Sequence, residues 1–129
     1  MILGVGTDIV EIKRLKQAFQ KSPKMVERIF TLNEKNKAQK LSPQKKLAYY
    51  AKRFSGKEAL SKAVGTGIGK DIGWQDLEIL NNGKGAPVAT FSQKGIKFLQ
   101  KKFKTKKVNI FISLSDEKGF AIAFCVLEK

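Results

Sequence analysis

The chain reads as a single α+β domain, with a small, mainly antiparallel sheet packed against one long helix and several shorter ones. Three observations predict this. β-rich runs begin and end the sequence, helical periodicity fills much of the interval, and 129 residues suffice for one core spanning 1–129 without disulfide staples. Hydrophobic residues at 42% beside charged residues at 29% give a globular balance, and no apolar run approaches the ~20 residues of a membrane span. The opening MILGVGTDIV is too short and uncharged for a secretory signal, and one cysteine makes no internal disulfide. A cytoplasmic protein away from any membrane is therefore expected.

Residues 2–9 alternate as a strand, with Leu3, Val5, Thr7 and Ile9 on one face and Gly4, Gly6 and Asp8 on the other. Two glycines on one face imply that something approaches the backbone closely, with Asp8 at the edge of that space. Ile12, Leu15 and Phe19, interleaved with Lys13, Arg14, Lys16 and Gln17, predict an amphipathic helix over 11–20 with a basic outer face. Ser22-Pro23 opens a further helical piece through Ile29, Thr31 and Glu34 fit a capping box for a short helix ending near Leu41, and Ser42-Pro43 starts the long helix. Along it Leu47, Ala51, Phe54, Glu58, Ser61 and Lys62 form one stripe, so the stripe turns polar as it nears Gly65, Gly67 and Gly69. An irregular connection over 70–75 follows. Residues 77–80 and 87–91 flank the turn NNGKG as a hairpin, 92–103 form a helix with Ile96, Leu99 and Phe103 inward, and 108–114 with 120–127 form a second hairpin.

Chemistry is limited first by what is missing. Without histidine there is no Ser-His-Asp triad, no HExxH zinc site and no imidazole acid-base step, so catalysis must use carboxylates, lysines, backbone groups or a metal. The net charge of +15 makes nucleic acid, nucleotide phosphates and acidic proteins admissible partners. Lys13, Arg14, Lys16, Lys21, Lys24 and Arg28 form one basic band, and Lys101, Lys102, Lys104, Lys106 and Lys107 a second.

In RFSGKEALSKAVGTGIG, at 53–69, a carboxylate, two amines and a hydroxyl project from a helix end into a glycine loop that offers backbone N–H groups to phosphate oxygens. Glu58 and Lys62 also have the spacing of an ordinary helix ion pair, and Asp8-Ile9-Val10-Glu11 matches a capping box, so each site reading has a structural alternative. Asp8 and Glu58 together would suit Mg²⁺, which takes one or two protein carboxylates and leaves its other positions to water and phosphate. Cys125, within an apolar strand, reads as core.

The blocks GVGTDIVEIKR at 4–14 and RFSGKEALSKAVGTGIG at 53–69, with the NGKGAP turn and the SLS hairpin in the same order, resemble bacterial holo-acyl-carrier-protein synthases, a family of 4′-phosphopantetheinyl transferases. The resemblance implies transfer of the phosphopantetheine arm of coenzyme A to a serine of apo acyl carrier protein, in support of fatty acid biosynthesis, by a Mg²⁺-dependent homotrimer that binds coenzyme A between subunits. Carried onto matching positions, it makes Asp8 and Glu58 metal ligands and Lys62 a general base or pyrophosphate contact. Arg53, Lys57, Ser61, Gly65 and Thr66 become coenzyme A contacts, and Lys13, Arg14, Lys21, Lys24 and Arg28 a surface for the acidic carrier. One departure stands out: the family commonly carries histidine after SLS, where this chain has Asp116.

Two other readings follow from the same residues. Charge alone suggests a nucleic-acid-binding domain, against which no aromatic-basic strand resembling an RNA-binding motif appears. Asp116 in place of histidine leaves room for a coenzyme A-binding relative without activity.

Overall fold

A computed structural model describes all 129 residues. β1 (Ile2–Glu11) leads into α1 (Ile12–Lys21), α2 (Lys24–Ile29), α3 (Leu32–Gln39) and the long α4 (Pro43–Val64). A 3₁₀ turn at Trp74–Asp76 precedes the hairpin β2 (Leu77–Asn81) and β3 (Pro87–Phe91), then α5 (Gln93–Phe103) and the hairpin β4 (Asn109–Glu117) and β5 (Phe120–Glu128). β5 lies between β1 and β4 in an antiparallel three-stranded sheet, and β2 pairs with β3 in a separate two-stranded one. The α+β expectation holds, with the sheet divided in two.

The close approach expected at Gly4 and Gly6 comes from α4. A Cβ built on Gly4 would lie 1.9 Å from the carbonyl oxygen of Ala63, and one on Gly6 1.8 Å from that of Ala59. Farther along, the hydroxyl of Ser55 donates to the carbonyl of Asp8 at 2.9 Å. Strand and helix therefore run in opposite directions in near-register, because two strand residues advance about 6.6 Å and four helical residues about 6 Å. β5 adds small or compact buried side chains to the same face, Ala121, Ala123 and Cys125, opposite Val10, Asp8 and Gly6. A side-chain-poor sheet lets the helix sit against the backbone, and Asp8 is the first functional group beyond the glycines.

Two boundaries differ from the sequence reading. β1 continues to Glu11, paired opposite Phe120, so Asp8 lies within a strand and the Asp8–Glu11 capping box does not form. The ladder takes the backbone groups that a cap would have used, and Ile12 N–H donates to the Gly119 carbonyl at 2.8 Å. The last hairpin is also tighter than expected: its strands reach Glu117 and Phe120, and Lys118 and Gly119 both adopt positive φ, the two-residue turn that matches strand twist.

The other face of the three-stranded sheet is apolar and uncovered. Val5, Ile9, Phe111, Phe120, Ile122 and Phe124 are each between 44% and 62% exposed. Strand alternation, not disorder, puts them there: the inward partners Ala121, Ala123 and Cys125 occupy the face toward α4.

Candidate active site

Helix α4 carries two lysine–carboxylate pairs with opposite surroundings. Lys57 is wholly buried, and its ammonium donates to Glu34 Oε1 at 2.7 Å, the Ile29 carbonyl at 2.7 Å and the Trp74 carbonyl at 3.2 Å. Glu34, equally buried, accepts from Thr31 N–H through Oε1 and from Ile79 N–H through Oε2, both at 2.8 Å. The capping box expected at Thr31 and Glu34 forms, and the same carboxylate also serves α4 and β2.

Lys62 faces outward. Its ammonium donates to Asp8 Oδ1 at 3.1 Å and to the Thr7 carbonyl at 3.0 Å. The helix ion pair expected between Glu58 and Lys62 is absent, since Lys62 turns to the strand. Glu58, half-buried, enters none of the chain's ion pairs. Burial raises its pKa, the charge of Asp8 raises it further, and Lys62 opposes both. Two carboxylates from distant parts of the sequence thus share one space, one of them without a partner, beside an exposed ammonium.

The helix ends at Gly65, whose φ of 93° is the left-handed conformation that favours glycine, and the N–H groups of Gly65, Thr66 and Gly67 turn back to the Ser61 carbonyl. Gly65 and Thr66 are exposed beside Lys62. Ser61 is not: it is buried, and its hydroxyl donates to the Glu58 carbonyl at 2.8 Å. Arg53 is also turned inward, donating to the Ile79 carbonyl at 3.2 Å and to Asn81, with its guanidinium 3.9 Å from the Tyr49 ring centre. Arg53, Lys57 and Ser61, expected to be coenzyme A contacts, are thus buried in the chain by itself and bonded to internal partners. Helical spacing shows that they share a helix but not which side the core covers.

Lys13, Arg14, Lys21, Lys24 and Arg28 are all exposed along α1 and α2. Asp116 meets Lys52 of α4 at 3.0 Å, an ion pair that sequence reading missed because it joins elements far apart in the chain. Cys125 is core as expected, with its thiol pushed up to about 11 by burial.

This architecture, with its carboxylates on a strand and a helix beside a glycine loop, has known counterparts. The profile of the 4′-phosphopantetheinyl transferase superfamily matches residues 4–125. A holo-[acyl-carrier-protein] synthase from Oceanobacillus iheyensis is 43% identical, with 99% of this chain and 98% of the relative aligned. The crystal structure of the synthase from Neisseria meningitidis superposes with a TM-score of 0.89 at 34% identity over the full length of both chains. That of the Bacillus anthracis synthase, in complex with CoA (3′,5′-ADP), gives 0.82 at 38% identity over 98% of this chain and 96% of the other. The chain belongs to the 4′-phosphopantetheinyl transferase superfamily, in the holo-acyl-carrier-protein synthase family that these relatives represent.

Proposed function

We propose that this protein transfers the 4′-phosphopantetheine arm of coenzyme A to a serine of an acidic apo acyl carrier protein, releasing adenosine 3′,5′-bisphosphate, with Mg²⁺ held by Asp8 and Glu58. The observation that carries the proposal is the unpartnered Glu58 carboxylate beside Asp8, in a chain matched to the family over residues 4–125. A half-buried Glu58 carboxylate whose pKa is raised by burial and by the charge of Asp8 beside it fits, together with Asp8, a hard divalent cation, which needs one or two protein oxygens and accepts phosphate on its other positions. Such a cation supplies Lewis-acid stabilisation of charge at the pyrophosphate.

The remaining work falls to this chain's side chains. Lys62 places a cation beside the two carboxylates, within reach of phosphate oxygens that gain charge as the pyrophosphate bond breaks. To accept the serine proton instead, it must first leave Asp8 and be neutral. Gly65 and Thr66 present an exposed surface to the nucleotide, but their N–H groups, expected from the sequence to meet phosphate oxygens, are bonded to the Ser61 carbonyl. Lys13, Arg14, Lys21, Lys24 and Arg28 present a basic surface for the carrier, whose attraction weakens with salt. Arg53, Lys57 and Ser61 act indirectly, by fixing the helix that presents Glu58 and Lys62.

The exposed face bearing Phe111, Ile122 and Phe124 supports self-association, and a homotrimer with coenzyme A between subunits is the assembly we propose. Sedimentation should give a trimer that Phe124→Glu dissociates; a monomeric parent protein rules the assembly out. We place this activity in the cytoplasm, in support of fatty acid biosynthesis; no helix is long and apolar enough to cross a membrane.

The decisive experiment is mass spectrometry of apo acyl carrier protein incubated with this protein, coenzyme A and Mg²⁺. One phosphopantetheine should be gained, and chelation should stop the gain. Coenzyme A binding with no modification of any carrier would instead support a non-catalytic relative. Binding of random oligonucleotide without coenzyme A binding would favour a nucleic-acid module.

A further inference from the structure

The free edges of the two sheets meet without pairing. β3 has β2 as its only hydrogen-bonded neighbour and β4 has only β5, and α5 lies over the gap between them. The result is a recess of about 270 Å³ whose apolar wall includes Ala89, Phe91, Ile96, Leu99, Val108 and Ile110. It lies among elements that the metal and coenzyme A reading does not use. Its volume is almost twice the ~150 Å³ of an apolar cavity that admits benzene. Ile96, expected inward, is instead 40% exposed at this wall.

The mouth is charged on one side only. Lys106 and Lys107 line it, both exposed and neither in an ion pair. Their backbone is fixed, since Gln100 donates to the Lys106 carbonyl at 3.0 Å and Thr105 to the Lys107 carbonyl at 3.1 Å. Lys97, Lys101 and Lys104 add positive charge from α5 and its end, and Thr90 and Gln100 are the recess's uncharged polar groups. The sheet end facing the loop contributes one acid, Glu128, opposite Asn109 in the ladder. An apolar recess rimmed by cations suits a ligand with an alkyl tail and a single anionic head. A flat apolar face would suit a bilayer surface; a half-open recess of this size has room for one alkyl chain.

We infer that this recess binds a free medium-chain alkyl carboxylate, with the tail among Ile96, Leu99 and Ile110 and the carboxylate at Lys106 and Lys107. The site is independent of the transferase reading and stands or falls separately from it.

Decanoate below its micellar concentration is the probe, titrated into the intact protein by amide NMR, with decanol and decyltrimethylammonium as head-group controls. Decanoate should shift the amides of Ala89, Ile96, Leu99 and Val108 saturably and bind more tightly than the cation. Lys106→Glu with Lys107→Glu should weaken decanoate by about fivefold or more and leave decanol unchanged, since only the head contact is altered. Ile96→Glu, at an exposed position, should weaken both. Lys37→Glu with Lys40→Glu makes the same change in net charge on and just beyond α3 and should leave decanoate binding within about twofold. Absence of saturable shifts at the lining residues, equal affinity for decanoate and decyltrimethylammonium, or equal weakening by the α3 variant overturns the site.

Discussion

Lys57 and Lys62 lie close together on one helix, each bonded to a carboxylate, yet the two pairs do different jobs. Lys57 and Glu34 are both fully buried, and every donor and acceptor around them is internal. In the other pair Lys62 is 51% exposed and Asp8 16%, and Glu58 beside them has no partner. A closed network fixes a fold, because breaking it strands a charge in a low dielectric. An open one with a carboxylate to spare is free to meet a ligand. The difference lies in what covers each side of α4: α3 and the 3₁₀ turn close over Lys57, whereas only a glycine-bearing strand lies beside Lys62.

The largest effect is expected from breaking the closed pair. Lys57→Met leaves Glu34 buried without its cation and should cost about 3–5 kcal/mol in denaturant unfolding. Lys57→Met with Glu34→Gln should recover part of that loss, because neither charge then remains. A cost below about 1 kcal/mol for the single variant would place this pair in the same class as the surface one. Burial lowers the Lys57 pKa and Glu34 opposes that shift, so the pair is under tension even when intact.

Breaking the open pair should instead spare the fold and stop the chemistry. Asp8→Asn is expected to lower phosphopantetheine transfer by about 10²–10³-fold, while the unfolding free energy changes by less than about 1 kcal/mol. Full activity would remove Asp8 from the metal site. Gly6→Ala tests the geometry that brings the two halves together. A methyl group meeting the Ala59 carbonyl must push β1 from α4, at about 1–3 kcal/mol, and should cut turnover without disturbing the Lys57–Glu34 bonds.

The same contrast explains what was legible in the sequence. Alternation, caps and turn residues are local, so the strands, the Thr31 capping box and both hairpins could be read directly. Gly4 and Gly6 announced a close approach but not by what, because that depends on the helix register against the strand. Spacing placed Arg53, Lys57, Glu58, Ser61 and Lys62 on one helix end, but 3.6-residue periodicity does not say which arc is covered when polar residues lie on both. Three of them turned inward to partners contributed by α2, α3, β2 and α4 itself. Lys52–Asp116 was invisible for the same reason, and the uncovered phenylalanines of β4 and β5 alternate just as a half-buried strand would.

The smallest effect is the one that separates stability from function most directly. Glu58 has its pKa raised in the folded protein, by burial first and by Asp8 second, so the native state holds a proton that the unfolded chain has already released over that interval. Stability should therefore fall as pH rises from the ordinary carboxylate pKa through the raised one, and be fully present below it. Glu58→Gln removes this slope and should make the protein slightly more stable at neutral pH, by less than about 1 kcal/mol for a half-buried group that water still screens. Unfolding free energies measured from about pH 4 to 8 would show the parent curve descending and the variant curve flatter. Mg²⁺ should raise the parent's stability at neutral pH and leave the variant nearly unchanged, because only the parent has the second carboxylate. If both proteins give the same slope and the same response to Mg²⁺, Glu58 is an ordinary surface acid, and the open half of the helix loses its claim to the metal.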